Sequence, residues 1–163
     1  MNDPIEQIRL LAIETFGSKF KKYYDGDPEV LPSFNLPCLI VTQTKDDTTE
    51  AEQSEDDVTD SIRIKVVYDK RDDFTGSRDE AIDLTEKKLR DVVRALDENG
   101  QYAKGTIKRM LRDALLDGVT AVAPSMSVEF GINERPTFSE EDVPLTAEAW
   151  VTFAVQYSVV TYQ

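Results

Sequence analysis

Apolar and polar residues alternate with a period of two in three separate segments of this chain, at residues 62–68, 126–132 and 150–162. Because successive side chains of a β-strand point to opposite faces, this period predicts strands that each place one face against a core. The apolar run at residues 38–44 predicts a fourth strand. A chain with this pattern needs a sheet, and the apolar side of that sheet needs a second layer to cover it.

Three segments with helical periodicity supply that layer. They span residues 4–24, 79–98 and 106–118, and each ends at a glycine or two residues before one. The resulting order is α-β-β-α-α-β-β, in which each pair of consecutive strands suits an antiparallel hairpin. We therefore predict an α+β fold with a single, mostly antiparallel four-stranded sheet and helices packed on one face. Residues 1–163 show no internal repeat and no linker, so we expect one domain.

Residues 45–60 are the most unusual segment of the chain. They contain eight acids and one lysine, and so carry more than half of the formal net charge of −13. The acids are Asp46, Asp47, Glu50, Glu52, Glu55, Asp56, Asp57 and Asp60. Because the segment is polar and has no apolar stripe, it predicts a long, mobile, acidic loop.

The chain has no histidine and one cysteine, Cys38. Without imidazole, Ser-His-Asp and Cys-His nucleophile systems and histidine-ligated zinc are excluded. A single cysteine excludes an internal disulfide and favours a reducing compartment, and the first residues do not resemble a secretory signal. The negative charge argues against broad binding to nucleic acid or to an anionic membrane surface, and no segment is apolar for long enough to span a bilayer.

Carboxylates are the main remaining source of chemistry. Clustered acids at residues 45–60 would suit Ca²⁺ or Mg²⁺, but the pattern of a calcium-binding loop is missing. The acids at residues 140–142 lie in a predicted loop with no apolar pocket to raise a pKa. We expect no catalytic residue, no metal and no cofactor. A carboxylate-dependent, metal-binding hydrolase and an acidic adaptor for a basic partner remain as alternatives.

The last predicted strand is apolar or small on both faces, although a one-sided antiparallel sheet normally carries polar residues on its outer side. The residues opposite the predicted core face include Trp150, Ala154, Val160 and Tyr162. A second covered face predicts either a packed helix or another subunit. We take these four residues as a candidate subunit interface.

Several features occur in one order along the chain: an N-terminal amphipathic helix, an extended run at 36–41, a long variable loop, the strand at 62–68, the helix at 81–96, a late strand ending at 131–135, and a final strand at 149–162. In this order the chain resembles the tail-terminator proteins of long-tailed bacteriophages and the related neck proteins of the head–tail junction. Two features depart from that family: the acidity of residues 45–60 and the length of the paired helices at 79–117.

The resemblance implies a structural virion protein without catalysis or cofactor. It implies a homo-hexameric ring at the head-proximal end of the tail tube, which ends tube polymerisation and joins the tail to the head connector. Its partners would be the tail tube protein and head-connector or neck proteins, and DNA would pass through the channel without specific binding. The expected location is the tail or neck of the virion, and the host cytoplasm during assembly. We hypothesise that residues 45–60 enter the channel or lie against the end of the tube; another neck or head-completion protein is the alternative.

Overall fold

The computed structural model describes residues 2–70, 84–134 and 145–161. Within these residues the chain forms three α-helices and five β-strands, with short 3₁₀ turns at Gly17–Lys19 and Ser33–Asn35. The elements, in order, are α1 (Pro4–Phe16), β1 (Lys22–Asp25), β2 (Cys38–Glu52), β3 (Glu55–Asp69), α2 (Leu84–Arg94), α3 (Ile107–Arg112), β4 (Val119–Glu134) and β5 (Leu145–Val160).

The strands form one mixed sheet in the order β1-β2-β3-β5-β4. Strands β2 and β3 are antiparallel neighbours, as are β3 and β5 and also β4 and β5, whereas β1 runs parallel to β2. The predicted α+β class and both antiparallel hairpins are confirmed. The predicted count of four strands is wrong, because β1 lies within the segment that was expected to be helical.

The first helix is shorter than predicted and ends at Phe16. Gly17 adopts a φ of 52°, which favours glycine, and its N–H donates to the carbonyl oxygen of Ile13. Phe20 and Tyr23 continue the apolar stripe into the same hydrophobic cluster as the helix, but from non-helical backbone beyond it. The helical spacing over residues 4–24 therefore correctly predicts which side chains pack inward. It does not reveal that the backbone leaves the helical conformation after Phe16.

The hydrophobic core lies between the helices and one face of the sheet. Side chains from all three helices reach it, among them Ile8, Leu89 and Ile107, each at most 2% exposed. They pack on inward side chains of the central strands, such as Ile64 and Val151, which are fully buried. Each buried side chain of this size contributes about 1.5–3 kcal/mol to folding. The three helices thus supply the layer that covers this face of the sheet.

A smaller cluster covers part of the opposite face, which we call the outer face. Cys38, Ile40 and Val67 contribute to it from β2 and β3, and Leu31 and Leu36 cover them from the segment between β1 and β2. All five side chains are at most 4% exposed. Cys38 is therefore a core residue with no access to solvent.

The two later helices also end before their predicted ends. In α3 Thr106 caps the N-terminus, because its hydroxyl oxygen accepts a hydrogen bond from the N–H of Arg109 at 3.1 Å. Helix α3 ends at Arg112, well before the predicted end at residue 118. Helix α2 ends at Arg94, and the start of the predicted helix at residues 79–83 lies outside the described residues.

Residues 45–60 form the outer half of the β2–β3 hairpin, so the prediction of a mobile loop is wrong. The two strands pair from Cys38 opposite Val67 to Glu52 opposite Glu55, with the turn at residues 53–54. Strand β5 pairs with β3 along this entire length, as far as Val160 opposite Glu55. Backbone hydrogen bonds from a third strand therefore hold the segment, which we call the acidic wing (residues 45–60).

Candidate functional site: the acidic wing and the outer face

Acids lie directly opposite one another across the acidic wing. The register pairs Asp46 with Asp60, Glu50 with Asp56 and Glu52 with Glu55. Side chains in such positions have Cβ atoms about 4.5–5.5 Å apart, and like charges placed there destabilise a sheet. The wing therefore concentrates negative charge at a cost to the stability of its own hairpin.

The eight acids are divided between the two faces of the wing. The register places Asp46, Glu50, Asp56 and Asp60 on the helix side, and the other four on the outer face. The β2 half of the wing is exposed throughout. Because neither face of the wing carries an apolar stripe, the wing presents carboxylates to both sides.

Asp60 is the exception among the acids, because it is only 3% exposed. Its carboxyl accepts hydrogen bonds from Gln43 Nε2 at 2.9 Å and from the hydroxyl of Tyr157 at 2.6 Å. Burial, reinforced by a hydrogen bond with Asp46, raises the pKa of Asp60 to about 6. The same bond lowers the pKa of Asp46, with help from the hydroxyl of Thr48 at 2.6 Å. Below about pH 6 the two carboxyls therefore share one proton at the base of the wing.

The outer face carries a polar network around Trp150. The guanidinium carbon of Arg63 lies 4.9 Å from the centroid of the indole ring, and Lys65 Nζ lies 4.7 Å from it. The indole Nε1 donates to Glu148 Oε1 at 2.9 Å. Lys65 in turn pairs with Asp27, which precedes the segment that covers the smaller cluster. Trp150 therefore ties three elements together within one subunit.

The candidate interface residues lie far apart on the outer face. Trp150 and Ala154 are half-buried, whereas the side chain of Val160 is 67% exposed beside the turn of the acidic wing. Ten residues of strand separate Trp150 from Val160, which is roughly 33 Å. Tyr162 lies outside the described residues. The structure brings Trp150 together with Arg63 and Lys65. The only sign of this contact in the sequence is that Arg63 and Lys65 are two residues apart, so that both cationic side chains lie on the same face of β3.

Within residues 2–70, 84–134 and 145–161, no three or more acids or cysteines lie close enough to hold a metal ion. The acids at residues 140–142 fall outside those ranges. Across the same part of the chain, no helix has the length and apolar character needed to cross a membrane. No protein-family model matches the sequence, and no curated protein is significantly similar to it.

Proposed function

We propose that the chain is a structural protein of a phage tail or neck, which forms a homo-hexameric ring at the head-proximal end of the tail tube. In this ring the acidic wing faces the DNA channel or the end of the tube, and the ring ends tube polymerisation and joins the tail to the head connector. The single observation that supports the proposal is the acidic wing, a paired three-stranded extension with carboxylates on both faces.

The charge of the wing has a physical role in such a channel. The facing pairs Glu50–Asp56 and Glu52–Glu55 cost the monomer stability and add nothing to its core, so the fold itself does not require them. Carboxylates repel the phosphates of DNA over about one Debye length, roughly 8 Å at physiological ionic strength. An acidic channel surface lets DNA pass without adhering, and an acidic rim also suits a basic docking surface on a neighbouring ring.

The contact between subunits is proposed at the far end of β5. Val159 and Val160 are 38% and 67% exposed there, and Ala154 lies on the same outer face as Val160. A ring requires two different complementary patches on each copy, because its interfaces are heterologous. Trp150 lies ten residues earlier in the strand, where Arg63 and Lys65 already cover its ring.

Charge reversal within the wing tests its position in the ring. Replacing Asp47, Glu50, Glu52 and Asp57 with lysine changes four exposed side chains. A matched control makes the same change of charge at four exposed acids elsewhere, Glu14, Glu29, Asp91 and Glu98. Negative-stain electron microscopy and native mass spectrometry would verify ring formation, with tail tubes added if the free protein is monomeric. Electrophoretic mobility of duplex DNA would then measure retention.

We expect rings of the wing variant to retain duplex DNA and to dock poorly, and wild-type and control rings to do neither. Equal retention by the two variants would place the wing away from the channel. A protein that stays monomeric with and without tail tubes would contradict the ring itself. Co-purification with filled heads instead of tails would favour another neck or head-completion protein, and steeply salt-dependent binding to a basic protein would favour an acidic adaptor.

A further inference from the structure

Strand β4 is an edge of the sheet, and its second half is regular and open. From Met126 to Glu134 the strand pairs with β5 without a bulge, whereas the irregularities of β4 and Pro124 all lie before Met126. Among the described residues, no strand pairs with the other side of this segment. Bulges, charges and prolines normally protect such an edge, because its free N–H and C=O groups accept another strand.

Two hollows flank this edge at the same register, one on each face of the sheet. The hollow on the outer face has a volume of about 190 Å³ and is lined by Glu129, Phe130, Gly131, Asn133, Glu148 and Trp150. The hollow on the helix side has a volume of about 210 Å³, and its lining includes Leu89, Phe130, Ile132 and Ala147 together with Lys70 and Glu86. Because side chains of an added strand alternate between faces, neighbouring residues of that strand would enter the two hollows in turn.

Gly131 lies at the centre of this edge, and the fold does not explain it. A Cβ atom at Gly131 would have no neighbour within 4 Å in the part of the chain that the structure describes, and the backbone there is not in the left-handed region. Glycine weakens the interior of a strand and often marks a place where a ligand or another backbone approaches closely. The open space above Gly131 is therefore room for a partner.

We propose that residues 129–133 of β4 bind an extended, basic segment of a partner protein by strand addition. Phe130 and Ile132, which are 45% and 61% exposed, receive an apolar side chain of the partner on the helix side. On the outer face the exposed carboxyl group of Glu129 selects a lysine or arginine. The net charge of −13 also attracts a basic segment. This inference does not depend on the proposed ring.

The test uses a short capped peptide that alternates arginine and valine. Trp150 is the only tryptophan and lines the outer hollow, so its fluorescence reports binding directly. One control peptide carries proline at its centre, which removes a ladder hydrogen bond, and another replaces arginine with glutamate. We expect saturable binding of the first peptide, and binding at least about tenfold weaker for both controls.

Two variants locate the site. Gly131→Leu fills the outer hollow, and because a Cβ meets open space there the fold is retained. Ser127→Leu adds the same side chain to the same face of β4, outside the lining of both hollows. We expect Gly131→Leu to weaken binding at least about tenfold and Ser127→Leu to leave it unchanged. The proposal is overturned by equal affinity for all three peptides, by no binding, or by binding that Gly131→Leu does not weaken. A concentration-dependent dimer that Gly131→Leu dissociates would also overturn it, since the edge would then join two copies of this chain.

Discussion

Asp60 combines burial, a shared proton and a position at the base of the acidic wing. Its folded pKa of about 6 lies above the ordinary value of 3.8, so the fold favours the protonated carboxyl. The stabilising effect of that proton is complete below the ordinary pKa and is lost as the pH rises through about 6. Asp46 behaves in the opposite way, because its pKa is lowered in the folded state. Its ionised carboxyl stabilises the fold, and this stabilisation is lost as the pH falls through that lowered pKa.

Replacing Asp60 with asparagine removes the pH-dependent cost and keeps the hydrogen bonds to Tyr157 and Asp46, but loses the one that Gln43 Nε2 donates to Asp60 Oδ1. The amide oxygen accepts from Tyr157, and the amide nitrogen donates to Asp46 as the protonated carboxyl does. We expect Asp60→Asn to raise the free energy of unfolding at pH 7.5 by about 1–2 kcal/mol and to have little effect at pH 4.5. Urea denaturation at both pH values checks this. Glu50→Gln controls for loss of one wing charge, and equal pH dependence in Asp60→Asn and wild type would refute the shared proton.

We predict that Trp150 stabilises the fold of its own subunit through the hydrogen bond of its indole N–H as well as through its ring. Trp150→Phe keeps an aromatic face for Arg63 and Lys65 but removes the donor to the fully buried Glu148. We expect a loss of about 1–3 kcal/mol in the free energy of unfolding, because a buried acceptor loses a partner. Adding Glu148→Gln in a double-mutant cycle should recover part of that loss. Strictly additive effects would mean that the hydrogen bond contributes nothing.

At the scale of single elements, facing charges make the acidic wing responsive to salt. Glu50→Lys turns the pair with Asp56 from repulsive to attractive and should add about 0.2–1 kcal/mol to the stability. High salt screens the repulsion, so wild type should gain more stability than the variant between low salt and 1 M NaCl. Thermal unfolding at the two salt concentrations measures the difference. An equal salt response would show that the pair does not interact.

The elements also show what the sequence could predict. Period-two alternation located β3, β4 and the core face of β5, because their side chains face a hydrophobic layer. The acidic wing escaped prediction because its acids occupy both faces and hide the alternation. Its pairing with β5 joins residues about a hundred positions apart, such as Glu55 and Val160, which no local pattern reveals. Strand β1 was missed because Phe20 and Tyr23 keep helical spacing after the helix has ended.

At the scale of the whole molecule, negative charge is concentrated on the acidic wing, a part of a three-stranded extension in which Val159 and Val160 are exposed beside the turn. The sequence predicted the excess of charge and proposed Trp150, Ala154, Val160 and Tyr162 as one interface. It could not show that Trp150 lies beside Arg63 and Lys65 whereas Val160 lies beside the turn of the acidic wing, since that depends on the pairing with β3. The proposed subunit contact therefore rests on the outer end of β5 alone.

Val160→Lys tests that assignment. The side chain is 67% exposed, so its replacement should change the free energy of unfolding by less than about 0.5 kcal/mol. A lysine at the centre of an apolar contact leaves a buried charge, and rings should therefore dissociate into folded monomers. Leu115→Lys is the matched control, because Leu115 is 95% exposed and lies between α3 and β4. Native mass spectrometry and urea denaturation of both variants separate assembly from folding. Rings that persist in Val160→Lys would move the subunit contact away from β5, whereas rings lost equally in both variants would make the loss a general effect of added charge.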